Sequence, residues 1–287
     1  MKKIMAKVVG SVLALATVCS FTACGGSEKE LKIGKEYVVA PSQLEALTKL
    51  DKGEADVAII DSVMAGYYTS TGDYANKMAL VDNLVLAEES YGIAAKKGNN
   101  ALMSKINEAL IAIRTTDYAE VAAEYGLTAS IALTEATVDT YAGATDDSWT
   151  NLVESGKITI GYTVFAPIAY EEGVELIGFD IELAEKTIAY LNTQYSANLE
   201  IEFVLIDWNT KEAKLADGTL DLVWNGMTIT EQRSAEMCIS VPYLYNKQVA
   251  VVMKADASKY TTVDSMKDAI MTAEAGSAGE TVIVGEE

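Results

Sequence analysis

The stretches EAKLADGTLDLVWNG (212–226) and LTKLDKGEADVAIID (47–61) follow one plan: a helical end, a Leu, a Gly, an Asp, an apolar run and a polar terminus. A short apolar run bounded by turn residues reads as a buried strand, and the spacing of the residues before it reads as an amphipathic helix. A helix–strand unit that occurs twice predicts an α/β protein with two similar lobes facing one another across a cleft. Ligands of such sheets bind beyond the carboxyl ends of the strands. That draws attention to Asp61 at the end of one strand, and to Asn225 and Gly226 at the end of the other.

The pattern extends outward from these two units. On the N-terminal side, Tyr37-Val38-Val39 is a strand candidate, and SQLEALTKLDKG (42–53) is a helix with a Ser cap and a Gly stop. ADVAIID (55–61) is a strand, SVMAGYYTS (62–70) a helix and SYGIAAKK (90–97) a strand. NALMSKINEALIAIR (100–114) and DYAEVAAEYG (117–126) have the apolar spacing of amphipathic helices. Residues 128–146 are rich in Ala and Thr, weakly periodic and free of Lys and Arg, which reads as a linker. Beyond it come strand 157–163, helix 179–192, strand 199–206, helix 210–218, strand 220–226 and strand 248–254.

With 287 residues, half of them hydrophobic and 22% charged, the composition is that of a globular chain large enough for two lobes. The net charge of −20 repels a phosphate backbone and argues against a nucleic-acid partner. At the N-terminus, Lys2, Lys3 and Lys7 precede an apolar run from Val8 to Ala23 that is short for a membrane span. This reads as a signal peptide over 1–23. The small residue Ala23 before Cys24 resembles the lipobox of bacterial lipoproteins, which would make Cys24 the lipidated mature N-terminus and 24–34 a lipid-anchored tether. An ordinary cleavage site that happens to lie near a Cys is the alternative. Of the remaining cysteines, Cys19 falls in the signal segment and Cys238 stands alone, and the chain has no His. A disulfide framework, a zinc cluster and serine–histidine or cysteine–histidine catalysis are excluded, and neither a metal nor a cofactor is expected.

The chain has two arginines. Arg114 lies on an amphipathic helix and reads as a solvated residue. Arg233 closes NGMTITEQR (225–233), directly after a buried strand. Its planar fork suits a carboxylate in a way that Lys does not, though pairing with a nearby acid of the protein is an equal reading. Asp61 needs a partner at the mouth of its strand, or it serves to cap the helix that begins near Ser62. The turn GSAGE (276–280) offers backbone N–H groups to an anion. Tyr162, Phe165 and Trp208 follow strand ends, where aromatics form either a ligand cage or ordinary core.

Taken together, GKITIGYTVFAPIAY (156–170), GFDIELAEKTI (178–188), the run from Ile206 to WNGMTITEQR, VPYLYNKQVAVV (241–252), GSAGE, residues 43–68 and EESYGIAAKKGNNALMSKINEAL (88–110) resemble the extracellular solute-binding proteins of polar amino-acid ABC importers, the family 3 type. The likeness covers nearly all of 35–127 and 146–287. It implies the two-lobed, type II periplasmic-binding-protein fold, with each lobe a mostly parallel sheet flanked by helices. It further implies that Arg233 clamps the α-carboxylate of a free amino acid, with help from Thr228 and Ser277. Asp61 would take the ammonium with the Gly226 carbonyl, and Phe165 and Trp208 would sandwich the ligand. Tyr162, Asn225 and Glu274 would face its side chain, and Glu274 would favour a side chain bearing a donor. The implied partners are the permease subunits of an ABC transporter, met at the extracellular face of the cytoplasmic membrane by a lipid-anchored protein that is not an enzyme.

The order of the segments departs from the family, in which DDSWTNLVESGKITIGYT (146–163) would open the domain and the segments before residue 128 would close it. The expectation is a circular permutation in which 128–146 joins the usual termini. One lobe would be continuous over 91–246 and the other assembled from 35–90 and 247–287, with hinge crossings near 88–92 and 245–249. A monomer is expected, the alternative being a cut-down tandem fusion that exchanges halves with another chain. Two other functions belong to relatives of this fold: a dehydratase acting on a prephenate-like acid, and an amino-acid sensor. The sensor is disfavoured because neither a membrane span nor a kinase follows residue 287, and the enzyme because the chain lacks His and has the Arg/Asp pair.

Overall fold

The structure is a computed structural model that describes residues 31–71 and 74–285. The expected signal peptide, Cys24 and the start of the tether lie outside the described residues. β1 (Glu36–Ala40) leads to α1 (Gln43–Asp51), where the Ser42 side chain accepts from the Glu45 N–H at 3.1 Å. Then follow β2 (Val57–Asp61), α2 (Ser62–Ser70), the long β3 (Met78–Lys96), α3 (Asn100–Ile113) and α4 (Asp117–Glu124). After residues 128–146 come α5 (Ser148–Ser155), β4 (Lys157–Tyr162), the hairpin β5 (Tyr170–Glu172) and β6 (Glu175–Ile177), α6 (Phe179–Tyr195) and β7 (Glu200–Leu205). The chain ends with α7 (Lys211–Ala216), β8 (Leu222–Thr228), α8 (Glu231–Glu236), β9 (Met237–Ile239), β10 (Leu244–Met253), β11 (Ile270–Glu274) and α9 (Ala278–Val284).

The strands run β1-β11-β2-β10-β3-β8-β4-β7 across one mixed sheet, with β9 beside β3. β1, β11 and β2 are mutually parallel and form, with α1, α2 and α9, what is here called the β2 half. β8, β4 and β7 are parallel likewise and form the β8 half. Between them lie β10 and β3, antiparallel to each other and to their neighbours. In this pair Tyr245 sits opposite Ser90, Asn246 opposite Glu89, and Lys247 opposite Glu88. The chain therefore passes between the halves along two strands that are hydrogen-bonded to one another.

Both faces of each half are covered, which is why the two repeated strands are continuous apolar runs rather than alternating ones. Val57 and Ile59 join Val252, Met271 and Ile283 on one side, while Ala58 and Ile60 join Leu47, Leu50 and Val251 on the other. In β8 the same division sends Leu222 and Trp224 toward Ile160, Phe179 and Tyr243, and Val223 and Met227 toward Trp208 and Leu215.

Residues 128–146 hold a single 3-10 turn, Thr128–Ser130, yet they are strapped to the β8 half. Ala132 and Leu133 are buried, and the Ala132 N–H donates to the Tyr243 carbonyl at 3.1 Å. Asp139 accepts from the Ser104 hydroxyl at 2.7 Å and from the Asn107 amide at 2.6 Å. At its far end Asp146 accepts from the Ala101 N–H at 2.9 Å, and the Ser148 hydroxyl from the Leu102 N–H at 2.9 Å. These two side chains cap α3 from outside it, since Asn99 at the cap position makes no side-chain bond there.

Candidate functional site

Residues from both halves converge on one narrow pocket of about 360 Å³, mouth included. From the β2 half come Gln43, Asp61, Glu274, Ser277 and Ala278; from the β8 half come Thr163, Val164, Phe165, Trp208, Asn225, Gly226, Thr228 and Arg233. Nine of the ten residues expected from the sequence are thus brought together.

The tenth, Tyr162, is a correction. Its ring packs with Ala169 and Ile181 and meets Phe203 edge-on at 6.4 Å, outside the pocket lining. Successive residues of an extended segment point to opposite faces, so the following residue, Thr163, takes the place in the pocket. Its hydroxyl lies 2.7 Å from the side-chain amide of Asn225.

Arg233 is positioned by the start of α8, where its own N–H donates to the Thr230 hydroxyl at 3.1 Å. Its guanidinium donates to the Thr228 carbonyl at 2.8 Å and to the Gly276 carbonyl at 2.9 Å. Of the five donors of a guanidinium, these bonds use two, and both go to neutral carbonyls. The described ion pairs include none to Arg233, Asp61, Glu89 or Glu274.

Asp61 does not cap α2 with its side chain. Its carboxylate instead accepts from the side-chain amides of Gln43, Asn246 and Gln248, and its N–H donates to the Gln43 oxygen at 2.9 Å. Burial, then the neighbouring Glu89, holds the Asp61 carboxyl well above the usual carboxylate range. Glu89 accepts from Asn246, from Gln248 at 2.8 Å and from the Thr228 hydroxyl at 2.9 Å.

Glu274 ends β11, is 4% exposed, and has a buried oxygen with no hydrogen-bond partner. Burial pushes it up to about 8 against the opposing pull of Lys211 and Arg233. Lys211, 2% exposed, lies with its ammonium 4.7 Å from the Trp208 ring centroid. It donates to the carbonyls of Trp208 at 3.2 Å and Gly276 at 3.3 Å, and pairs with Glu212 at 2.9 Å. The Gly276 carbonyl, from the β2 half, is therefore held by Arg233 and Lys211 together, both from the β8 half. Behind Gly226, the buried Asp180 accepts from the Gly226 N–H at 2.8 Å and the Tyr243 hydroxyl at 2.7 Å, and burial pushes it up to about 7.

Sequence reasoning missed Gln43, Glu89, Asn246, Gln248, Lys211, Thr163 and Asp180. A signal existed for two of them: Asn246 and Gln248 alternate with Leu244 on a strand, so the three share a face, and all are buried. Nothing local marks Glu89 or Lys211, whose surroundings come from distant segments.

Residues 158–276 match the bacterial extracellular solute-binding proteins, family 3. The chain is 35% identical to the arginine-binding extracellular protein ArtP of Bacillus subtilis over 118 residues, 40% of this chain and 42% of that protein. A cyclohexadienyl dehydratase of Pseudomonas aeruginosa is 23% identical over 42% of this chain and 44% of its own. Among solved structures, an ABC uptake transporter substrate-binding protein from Streptococcus pneumoniae with bound histidine is 34% identical over 31% of this chain and 35% of its own, with a TM-score of 0.28. The chain spans about two-fifths of the length of the curated relatives it matches. No helix among the described residues is long and apolar enough to cross a membrane.

Proposed function

We propose that the pocket binds a polar amino acid and that the protein is the substrate-binding component of an ABC importer. One observation carries this reading: Arg233 and Asp61 reach the same pocket from opposite halves, and neither is matched there by an opposite charge of the protein. A zwitterion meets both needs, and only the closed arrangement of the halves presents both partners, so binding selects that arrangement. Arg233 would hold the carboxylate, with Thr228 and Ser277 beside it. Asp61 and the Gly226 carbonyl would hold the ammonium, and Phe165 and Trp208 would enclose the ligand. Thr163, Asn225 and Glu274 would face its side chain, and the unpartnered Glu274 oxygen supports a side chain that carries an N–H donor.

The wider reading follows from the sequence. Residues 1–23 would be removed, Cys24 lipidated, and the protein held as a monomer at the extracellular face of the membrane, where a permease takes up the ligand. The chain would be a circular permutant with β3 and β10 as its hinge. Its support is that β1 pairs directly with β11 from the opposite end of the chain. A second reading, a dehydratase, draws on a pocket carboxyl that stays protonated at neutral pH, as Glu274 does.

Calorimetry with the twenty amino acids tests the leading reading. Arg233→Ala and Asp61→Ala are each expected to cost about 2–5 kcal/mol of affinity, because each strands a buried charge of the ligand. Near-native binding by both variants would sink the site assignment. Turnover of a prephenate-like acid would establish the enzyme instead.

A further inference from the structure

Two carboxylates meet where β2 ends against the crossing strands. Asn246 and Gln248, from β10, each donate to both Asp61 Oδ1 and Glu89 Oε1, so these two oxygens are drawn onto the same pair of amides. The remaining oxygens are fed from either side, Asp61 Oδ2 by Gln43 of α1 and Glu89 Oε2 by the Thr228 hydroxyl of β8. From α2, Ser62 donates to Asn246 at 2.9 Å. From β3, the buried Tyr91 hydroxyl faces Asp61. Arg233 feels the charge of both acids and of Glu274, but its contacts are the carbonyls of Thr228 and Gly276. Lys247 turns away toward Glu88 at 3.9 Å.

With Glu89 drawn onto the same amides and no cation in contact, a charge on the buried Asp61 is disfavoured. We propose that Asp61 holds a proton in the unliganded protein because Glu89 is bound to the same two amides, and that the ammonium group of the ligand displaces it, so that binding releases that proton to solvent. This rests on the amino-acid reading of the pocket. Asp61 lines the pocket and meets the ligand; Glu89 does not line it, and acts as a positioning residue that sets the charge of Asp61.

Glu274 also lines the pocket and is pushed up to about 8, so each titration is made in the parent protein and repeated in Glu274→Gln to separate its contribution. L-arginine and L-glutamine are titrated calorimetrically between pH 5 and 8, in buffers of different ionisation enthalpy. The expected result is a release approaching about one proton per ligand, with affinity rising up to about tenfold per pH unit. Glu89→Gln is expected to cut the release by at least half and flatten the rise, and Glu89→Asp to restore them. A release of zero throughout, or one unchanged by Glu89→Gln, overturns the proposal.

If neither amino acid binds, the amino-acid reading is decided by the calorimetry with all twenty on the parent protein, and the free protein still decides the pair. A proton held in the folded state above the pH at which the unfolded chain loses it makes stability fall as pH rises. The urea midpoint should therefore decline from pH 5 to 8 and do so less steeply in Glu89→Gln. Asp180 contributes equally to both proteins and cancels in the comparison. Equal slopes would overturn the proposal.

Discussion

Glu274 stands among charges it does not touch. Lys211 and Arg233 are near enough to pull its carboxyl down, yet burial prevails and holds it up to about 8. The folded protein therefore keeps a proton that the unfolded chain sheds at an ordinary carboxylate pKa. That stabilises the fold below the unfolded value and is lost as pH rises toward 8. Glu274→Gln should thus be more stable than the parent at pH 8, by up to about 4 kcal/mol, and close to it at pH 5. Chemical denaturation at the two pH values checks this, and a constant difference would show that Glu274 is not titrating in the window. At this scale the sequence was informative where chemistry is tied to a strand end, as for Asp61 and Asn225, whereas Glu274 came only from the family resemblance. It could not choose between a capping and a pocket role for Asp61, because the choice is made by Gln43, Asn246 and Gln248. Lys211 was opaque for a related reason. Its place on α7 looks solvated until Trp208 and the Gly276 turn close over it.

Elements were legible where their pattern is local. α2 keeps its expected limits, and α1 and β2 fall within two residues of theirs, because Ser42, Gly53 and an unbroken apolar run mark them. β3 was read only from residue 90, although it begins at Met78. Its first half carries acids and Asn83 at φ +58°, and its pairing with β10 shifts register around Val249, so the alternation that signals a strand is lost. The end of β8 is more demanding. Gly226 sits at φ +61°, and a Cβ there would lie 2.7 Å from the Phe165 ring and close to Tyr91. Gly226→Ala should cost about 1–3 kcal/mol of stability through backbone strain and displace Phe165 from the pocket. Thermal melts and a binding titration read both effects. Unchanged melting would mean that the turn tolerates a side chain. The strap over 128–146 carried no periodic signal, because what fixes it is a set of single bonds to α3 and β10 rather than a repeating face.

For the whole molecule, the two repeated units were enough to foresee two sets of parallel strands and a pocket between them, but not that one mixed sheet runs through both. The long paired crossing was not foreseeable, since β3 and β10 meet from positions far apart in the chain and neither shows its full length in sequence. The two halves are also tied across the pocket by the Gly276 carbonyl, gripped by Arg233 and Lys211 at once. This bond makes Lys211 a chemical reporter. While the halves are together its amine is shielded by Trp208 and committed to Gly276; when they part, the amine meets solvent. Acylation followed by mass spectrometry should therefore label Lys211 far more slowly than the exposed Lys35, and more slowly still when a ligand holds the halves together. Equal labelling of the two lysines would mean that the grip is not maintained in solution. A single residue's reactivity would then time the opening of the protein, without a probe attached to it.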